Sequence, residues 1–218
     1  RRKAEEYIEK WFIKINWETA KIGQSVDPEK DKVELLDDVV EENKKLVYYK
    51  LNKPRGIVTT CVSKGETGIM DIVDIPTRVF PIWRLDKETT GLILLTNDWR
   101  LANYLMHPRY NHEKEYIVET FWPIADNDIQ TMRDGIFILG SYTKEAKVER
   151  LSSGKFSITI SEWKNRQIRR MVEYVRWTVK KLKRVRIENI QLWDLPIWEY
   201  VELTKREKTD LFNKLGIK

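Results

Sequence analysis

The strongest constraint on the fold is the way in which hydrophobic residues are grouped after position 46. They form short runs, rich in β-branched and aromatic side chains, that are separated by residues typical of turns. These runs predict strands over 46–51, 56–61, 92–96, 116–121, 145–151, 156–160, 185–192 and 199–203. Helical periodicity is found over 100–106, 126–133, 165–175 and 205–215. Because strands outnumber helices and adjoin one another, we predict an α+β fold with a mainly antiparallel mixed sheet and flanking helices.

The first 42 residues have a different pattern and predict a small separate module. Apolar residues recur at helical spacing over 2–11, and two short strands are indicated around 13–15 and 33–35. The acidic run at 37–43 is typical of a linker. We therefore expect two domains, at 1–42 and at 43–218.

Charge is distributed unevenly along the chain. The 40 Lys and Arg residues exceed the 34 Asp and Glu residues, which gives a net charge of +6 and a pI of about 9.2. Residues 1–42 carry a net charge of −4, whereas 43–218 carry +10 and the segment 161–190 alone carries +7. A basic surface favours a polyanionic partner such as nucleic acid, and 161–190 is the predicted region of contact.

Composition also argues against several classes of protein. The longest apolar candidate, 92–95, is far shorter than the ~18 residues that a membrane span needs. The single cysteine, Cys61, excludes an internal disulfide and fits a reducing compartment, so we expect a cytoplasmic protein. Two histidines and one cysteine provide no zinc-site spacing. The glycine-rich phosphate loops and the nucleophile elbow are missing as well.

The predicted helix at 165–175 combines an apolar face with an arginine stripe. Its apolar residues have the spacing of a core-facing surface: Ile168, Met171, Val172 and Val175. Arg166, Arg169 and Arg170 lie at i, i+3 and i+4 on another part of the helix. Three neighbouring guanidinium groups repel one another unless anions neutralise them, and arginine suits bidentate pairing with phosphate or carboxylate. The alternative is the solvated face of an ordinary amphipathic helix.

A second constellation lies at 80–98, where a polar loop leads into an apolar strand. The loop contains Arg84 and Asp86. Catalytic side chains are commonly held in this way, on a loop that a rigid element supports. On composition alone, however, Asp86 is one of 34 acidic residues, and such a residue more often serves a turn or a helix cap.

Four stretches together resemble one branch of the RNA pseudouridine synthases, the RsuA/RluB/RluE/RluF branch. The string RLDKETTGLILLTND at 84–98 is similar to the catalytic-aspartate motif of that branch. Three further motifs of the branch are matched in the same order along the chain. They are NKPRG at 52–56, HEKEYIV at 112–118 and KNRQIRRM at 164–171. The GIFILG sequence at 135–140 and the HEKEY sequence at 112–116 resemble the RluF subgroup in particular. The module at 1–42 resembles the S4 RNA-binding domain that is often fused to these enzymes.

The resemblance implies isomerisation of a uridine in RNA to pseudouridine, without a cofactor or a metal. The target base would be flipped out of its stack into a pocket. Asp86 is the implied catalytic carboxylate, Arg169 the partner that keeps it ionised, and Tyr116 the residue that stacks on the base and assists proton removal. Attack on the ribose, attack on the base and assistance to glycosidic cleavage all stay open for Asp86. The implied substrate is ribosomal RNA, of the large subunit first, with tRNA as an alternative.

The resemblance also implies a set of RNA contacts. Arg84 would reach into the gap that the base leaves or hold a phosphate. The other candidates are Lys53, Arg55, Lys164, Asn165, Arg166 and Arg170, together with Arg1, Arg2 and Lys3 in the N-terminal module. Each has a structural alternative: Tyr116 could be a half-buried sheet aromatic, the arginines could be rim charges, and 53–56 could be a turn. We expect RNA to be the partner of a monomer that uses no membrane and no nucleotide cofactor.

The chain departs from the family at several glycine positions. Tryptophan stands at 83, 99 and 163, where the family motifs carry glycine, and at 11, 17, 193 and 198, where such chains usually have it. Glycine serves where the backbone needs a positive φ or approaches a ligand closely, so an indole there predicts strain and crowding. In particular, Asn16-Trp17 and Asp98-Trp99 resemble turns whose glycine has been replaced.

These departures motivate a rival hypothesis. Indole rings that crowd the Asp86 loop would leave a non-catalytic RNA-binding or ribosome-assembly factor. A hydrolase that uses Asp86 with Glu88 is a third reading, which lacks support because the sequence supplies neither a metal site nor a matched second acid.

Overall fold

The computed structural model describes residues 2–27, 30–36, 38–39, 45–60, 65–107 and 110–217. The chain divides into two compact units, Arg1–Leu46 and Val47–Lys218. None of the helices in the described part of the chain combines the length and the apolarity that crossing a bilayer requires.

The N-terminal unit contains one helix and a small antiparallel sheet. Helix α1 (Arg2–Glu9) precedes β1 (Ile13–Ile15), β2 (Glu18–Thr19), β3 (Val33–Leu35) and β4 (Asp38–Val39), and the sheet order is β2-β1-β3-β4. Asn16 and Trp17 join β1 to β2 with φ angles of 50° and 73°, as the glycine-like turn predicted. Strand β4 falls inside the run expected to be a linker, and residues 37 and 40–43 of that run lie outside the described residues.

The second unit is built on a nine-stranded sheet. Its strands and the small β9–β10 hairpin are β5 (Tyr48–Lys53), β6 (Phe80–Ile82), β7 (Thr90–Thr96), β8 (Lys114–Thr120), β9 (Phe137–Ile138), β10 (Ser141–Tyr142), β11 (Lys147–Ser152), β12 (Lys155–Ile160), β13 (Val179–Ile187), β14 (Ile190–Gln191) and β15 (Tyr200–Glu202). The helices are α2 (Trp99–Met106), α3 (Asp126–Asp134), α4 (Gln167–Tyr174) and α5 (Lys205–Leu215), with a 3-10 turn at Ile69–Asp71. The sheet order is β11-β12-β8-β13-β7-β5-β15, with β14 on β13 and β6 on β7.

Strand β7 runs through the middle of this unit and is covered on both faces. Its side chains alternate between two hydrophobic clusters: Leu92 and Leu94 join one, and Ile93 and Leu95 join the other. A strand with two covered faces reads as a continuous apolar run, which is why the sequence shows LILL here. β7 pairs in parallel with β13 and antiparallel with β5 and β6. The predicted α+β fold with a mainly antiparallel mixed sheet is confirmed.

Three local predictions are wrong. The segment 56–61 forms no strand in its described part: the Val58 amide bonds to the Thr67 carbonyl, and only an isolated bridge joins Val58 to Gly68. The strand predicted at 185–192 starts at Val179 and is interrupted by a turn after Ile187. Asp98 is not a turn residue but the N-cap of α2, where its carboxylate accepts from the Arg100 amide, so Trp99 opens a helix.

Candidate active site

The segment between β6 and β7, with Asp86 at its centre, forms one wall of a cleft. The cleft has a volume of about 270 Å³, near the lower end of the range for ligand sites. Asp86, Tyr116 and Arg169 all line it, so the three predicted catalytic side chains converge on one cavity. Strands β12 and β13 contribute apolar surface through Ile160 and Leu182.

Hydrogen bonds to its backbone amides and carbonyls fix the conformation of the Asp86 loop. The buried Thr59 hydroxyl donates to the Leu85 carbonyl at 2.7 Å and accepts from the Leu85 amide at 3.2 Å. The amide of Thr89 donates to the Asp86 carbonyl at 3.0 Å, which closes a turn. The Gly56 amide donates to the Lys87 carbonyl at 2.8 Å. The carboxylate therefore projects from a loop whose conformation is held on both sides.

Lys53 also belongs to this support, which differs from the phosphate contact predicted for it. Its side chain is fully buried, and its ammonium donates to the carbonyls of Pro54 and Thr89 at 2.9 Å each. Burial lowers the pKa of Lys53 to about 8, an effect that the nearby carboxylates of Asp86 and Glu88 partly oppose. A side chain that is enclosed and satisfied by the backbone is not available to RNA, so we correct that prediction: Lys53 clamps the loop.

Helix α4 and the residue that precedes it bring two arginines to the Asp86 carboxylate. Its apolar face buries Ile168, Met171 and Val172 in the core, which turns the opposite side towards the loop. Arg169 Nε lies 4.0 Å from Asp86 Oδ2, and Arg166 Nη1 lies 3.8 Å from the same oxygen. Burial and the adjacent Arg166 guanidinium lower the pKa of Arg169, while the Asp86 charge works in the opposite direction. The predicted pairing of Asp86 with Arg169 is present, and Arg166 is a second cation at the same carboxylate.

The start of α4 explains why Arg166 reaches the cleft. The predicted helix began at 165, but Arg166 has a φ of 51° and is the residue before the first helical turn. Gln167 holds this bend, since its side chain accepts from the Lys164 amide at 3.0 Å and donates to Glu162 at 2.9 Å. The left-handed conformation of Arg166 separates it from the helical stripe that the sequence indicated.

Tyr116 lies opposite the loop on β8, where alternate residues face the interior. It is 7% exposed, and its hydroxyl is 3.5 Å from Nη1 of Arg184. Arg184 is itself buried and also donates to the carbonyls of Leu92, at 2.7 Å, and of Trp83. Arg184 thus ties Tyr116 on β8 to the strand that follows the Asp86 loop.

The remaining predicted RNA contacts fall into two groups. Arg84, Lys164, Asn165 and Arg166 line the cleft, whereas Arg55 and Arg170 lie outside its lining. Arg84 donates to the Thr60 hydroxyl at 3.0 Å, and the Lys164 ammonium is held by the β9–β10 hairpin through Ser141 and Tyr142. Arg55 is exposed and forms an ion pair with Glu88, which lowers the pKa of that carboxyl. Arg1 and the side chains of Arg2 and Lys3 lie outside the described residues.

The indole rings do not fill the cleft. Trp11, Trp17, Trp83, Trp193 and Trp198 have positive φ angles, as their glycine-like positions predict, whereas Trp99 and Trp163 do not. Of these seven, only Trp163 lines the cleft, and its side chain is 64% exposed. Trp83, three residues before Asp86, lies in a neighbouring cavity instead. The indole rings therefore do not crowd the Asp86 carboxylate as expected, because Trp83 lies in the neighbouring cavity and Trp163 is largely exposed.

Sequence reasoning did not identify Thr59 and Arg184 and misassigned Lys53. The signal for Arg184 was present, because Leu182 and Arg184 share one face of a strand and that face is buried. Thr59 and Lys53 act through contacts with backbone 26 to 36 residues away along the chain, and no local pattern reveals them.

Comparisons with known proteins agree with this geometry. A family model described as RNA pseudouridylate synthase matches residues 47–174. The dual-specificity RNA pseudouridine synthase RluF of Escherichia coli O6:H1 is 44% identical over 97% of this chain and 73% of that protein. The ribosomal large subunit pseudouridine synthase B of Bacillus subtilis is 36% identical over 95% of this chain and 88% of that protein.

A solved structure supports the same conclusion. A crystal structure of a pseudouridylate synthase, 30% identical in sequence, matches with a TM-score of 0.74 and covers 96% of this chain and 93% of that one. The resemblance that the four motifs indicated is confirmed, including its RsuA/RluF type. The chain belongs to the RNA pseudouridylate synthase family and is an RNA-modifying isomerase of that type.

Proposed function

We propose that this protein converts a specific uridine of ribosomal RNA, in the large subunit, into pseudouridine, with tRNA as the alternative substrate. The observation that carries the proposal is the convergence of Asp86, Tyr116 and Arg169 on one cleft. The names of the two relatives support the choice of RNA, since one is described as dual-specificity and the other as acting on the large ribosomal subunit.

The reaction moves the base from N1 to C5 on the same ribose. The N1–C1′ bond breaks, the C5–C1′ bond forms, the proton at C5 leaves, and N1 gains a proton, so no oxidant or co-substrate is consumed. An anionic group at the sugar or the base and a nearby proton acceptor are what this chemistry needs. We assign the first role to Asp86 and proton removal to Tyr116.

Arg169 is the positioning partner of Asp86 in this proposal. Its Nε is buried and makes no hydrogen bond among the described residues, yet it lies only 4.0 Å from Asp86 Oδ2. Catalytic hydrogen bonds are often long in the free enzyme and shorten when substrate binds. We expect RNA binding to close this distance, which would orient the carboxylate and keep it charged.

The cleft is small and its rim is basic, which suits a single flipped nucleotide on a phosphodiester chain. Arg84, Lys164 and Arg166 stand where phosphates would enter, and such contacts position RNA without reading its sequence. Arg55 and Arg170 extend this basic surface beyond the cleft. Tyr116 offers an aromatic ring for the base to stack on.

The N-terminal unit completes the proposal as an S4-like RNA-binding module at about 1–42, with Arg1, Arg2 and Lys3 as its basic corner. We propose that the protein acts as a monomer. We place it in the cytoplasm, since the single cysteine fits a reducing compartment. Light scattering of the purified protein, alone and with RNA, would test the monomer.

The test is incubation of the protein with unmodified ribosomal RNA transcripts and with tRNA, followed by mapping of pseudouridine along each RNA. We expect one or a few uridines to be converted, with large-subunit RNA the best substrate. Salt-sensitive binding without any pseudouridine would overturn the proposal in favour of an RNA-binding factor.

A further inference from the structure

A second cavity lies next to the Asp86 cleft and is larger than it. Its volume is about 560 Å³, against about 270 Å³ for the cleft. The two cavities share Arg84 and Trp163 in their walls, so a chain that passes Arg84 reaches both. The assigned catalytic groups Asp86, Tyr116 and Arg169 do not line the second cavity.

The walls of this cavity are suited to a flat apolar ring. Trp83 and Trp163 contribute indoles, and Pro81, Leu105 and Met106 provide apolar surface. Two contacts fix the Trp83 ring: the Lys114 ammonium lies 3.4 Å from its centroid, and the His112 ring packs against it at 6.3 Å and 65°. A rigidly held indole is a good stacking platform, because it loses little freedom when a ligand binds.

Basic side chains dominate the charged lining of this cavity. Arg84 and Lys144 line it together with a single acid, Glu162. A third basic residue, Lys114, is buried, which lowers its pKa to about 7, so at neutral pH it carries only part of a positive charge. The lining therefore favours an anionic ligand.

We propose that the cavity lined by Trp83 and Trp163 is a second base subsite, which receives an unpaired nucleobase of the same RNA strand beside the target uridine, with Arg84 on the phosphate between them. This inference rests on the proposed function and adds a specificity element to it. A ring stacked on an indole and a phosphate for Arg84 are two features that one nucleotide has together.

The experiment compares Trp83→Gly with Trp193→Gly. Both residues have positive φ angles, 62° and 48°, so both substitutions relieve backbone strain, but Trp193 is exposed and lines neither cavity. The probes are oligouridylate and a ribosomal RNA fragment that contains the modified uridine. Base stacking predicts a rise in Kd of about fivefold or more for Trp83→Gly with both probes. Trp193→Gly should stay within about twofold of the wild type, and Trp83→Phe should recover most of the loss.

Abasic substitutions on the RNA identify the base itself. Four versions of the fragment are prepared, each with a single abasic residue. The four positions are the two nucleotides before the target uridine and the two nucleotides after it. For the wild type, one of the four abasic RNAs should show a rise in Kd about as large as the rise that Trp83→Gly causes with the intact RNA. For the Trp83→Gly protein, the same abasic residue should cause no further rise in Kd. Equal Kd values for wild type and Trp83→Gly would overturn the subsite, as would additive losses at all four positions.

The two proposals fail in different ways. Pseudouridine formed at the wild-type rate and affinity by Trp83→Gly contradicts the subsite and leaves the proposed function intact. If the wild type forms no pseudouridine, the proposed function fails, and the oligouridylate affinities of the three variants still decide for or against the subsite.

Discussion

Two arginines of different character meet the Asp86 carboxylate. Arg169 is largely buried, with 12% of its side chain exposed, whereas Arg166 is 45% exposed and is held by an unusual left-handed backbone conformation. A buried guanidinium has few ways to move, so it sets the direction of the carboxylate. The exposed one can exchange the carboxylate for a phosphate when RNA arrives. We therefore assign orientation to Arg169 and RNA attachment to Arg166.

Thr59 offers a test of the loop that carries Asp86. Thr59→Val keeps the shape of the side chain but leaves the amide and carbonyl of Leu85 without their partner. We expect the free energy of unfolding to fall by about 2 kcal/mol and the rate of pseudouridine formation to fall about tenfold or more. Urea unfolding and single-turnover kinetics measure the two effects. Thr209→Val, on the exposed surface of α5, should change stability by less than about 0.5 kcal/mol; an equal loss in both variants would show that the Thr59 contacts are unimportant.

The contact between β7 and β13 depends on a glycine. Gly91 pairs with Arg184 in the parallel register and has a φ of 103°. A Cβ built at this position would lie 2.2 Å from the Arg184 carbonyl oxygen, so the two strands can only approach as they do when the residue is glycine. Because Arg184 also holds Tyr116, this contact connects the sheet to the cleft.

Gly91→Ala should therefore destabilise the protein by about 3 kcal/mol or more, because both the backbone angle and the neighbouring strand oppose the methyl group. Gly140→Ala is the matched control: Gly140 also has a positive φ, of 79°, but nothing lies within 4 Å of the added Cβ. The control should cost only about 1 kcal/mol. Chemical unfolding of both variants gives the comparison, and similar losses would mean that the close approach of the strands contributes nothing.

Helix α5 is connected to the sheet by several contacts, one of which is made by a buried carboxylate. Glu188, 3% exposed in its side chain, accepts from the Glu113 amide at 2.7 Å, contacts His112 Nδ1 at 3.1 Å and pairs with Lys214 on α5. Burial alone would raise the pKa of Glu188, but its hydrogen bonds and Lys214 lower it to about 2. The unfolded value is higher, so this stabilisation is complete above pH 4.5 and is lost as the pH falls towards 2.

The difference in unfolding free energy between wild type and Glu188→Gln should accordingly shrink by roughly 3 kcal/mol between pH 5 and pH 2. Urea titrations at several pH values test this, with Glu199→Gln, whose residue is exposed, as the control. A difference that is independent of pH would contradict the low pKa of Glu188.

The elements that the sequence predicted well are those with a clear local pattern. Strand β7 follows from its apolar run and α4 from the spacing of Ile168, Met171 and Val172. Strand β13 begins earlier than the sequence predicts, because Lys180 and Lys181 are exposed and the first buried residue of the strand is Leu182. For the site, family motifs supplied Asp86, Tyr116 and Arg169. The supports from Thr59 and Lys53 depend on tertiary contacts that no local pattern encodes, whereas the alternation of Leu182 and Arg184 is a local signal for Arg184.

On the scale of the whole chain, the excess positive charge belongs to the segment after residue 42. Residues 43–218 carry a net charge of +10, and the exposed arginines near the cleft are where phosphates would bind. Each phosphate that an arginine neutralises releases counterions, so affinity for RNA should fall steeply as salt rises. The N-terminal 42 residues, with a net charge of −4, contribute little to this bulk attraction.

We expect Arg55→Gln and Arg166→Gln each to reduce the slope of log K against log salt by about one. Filter binding at a series of salt concentrations measures the slope. Arg206→Gln removes a 93% exposed arginine from α5 and should leave the slope unchanged. A slope that is the same in all three variants would remove Arg55 and Arg166 from the RNA contact surface.

Whether the Asp86 carboxylate performs the chemistry is tested by measuring pseudouridine formation by Asp86→Asn under single-turnover conditions, with RNA affinity determined in parallel. Asparagine keeps the size of the side chain and removes its charge, so we predict no pseudouridine above background and a Kd within about twofold of the wild type. Asp74→Asn, an exposed residue outside the cleft, serves as the control and should retain the wild-type rate. Product formation by Asp86→Asn at the wild-type rate would show that this carboxylate does not perform the chemistry.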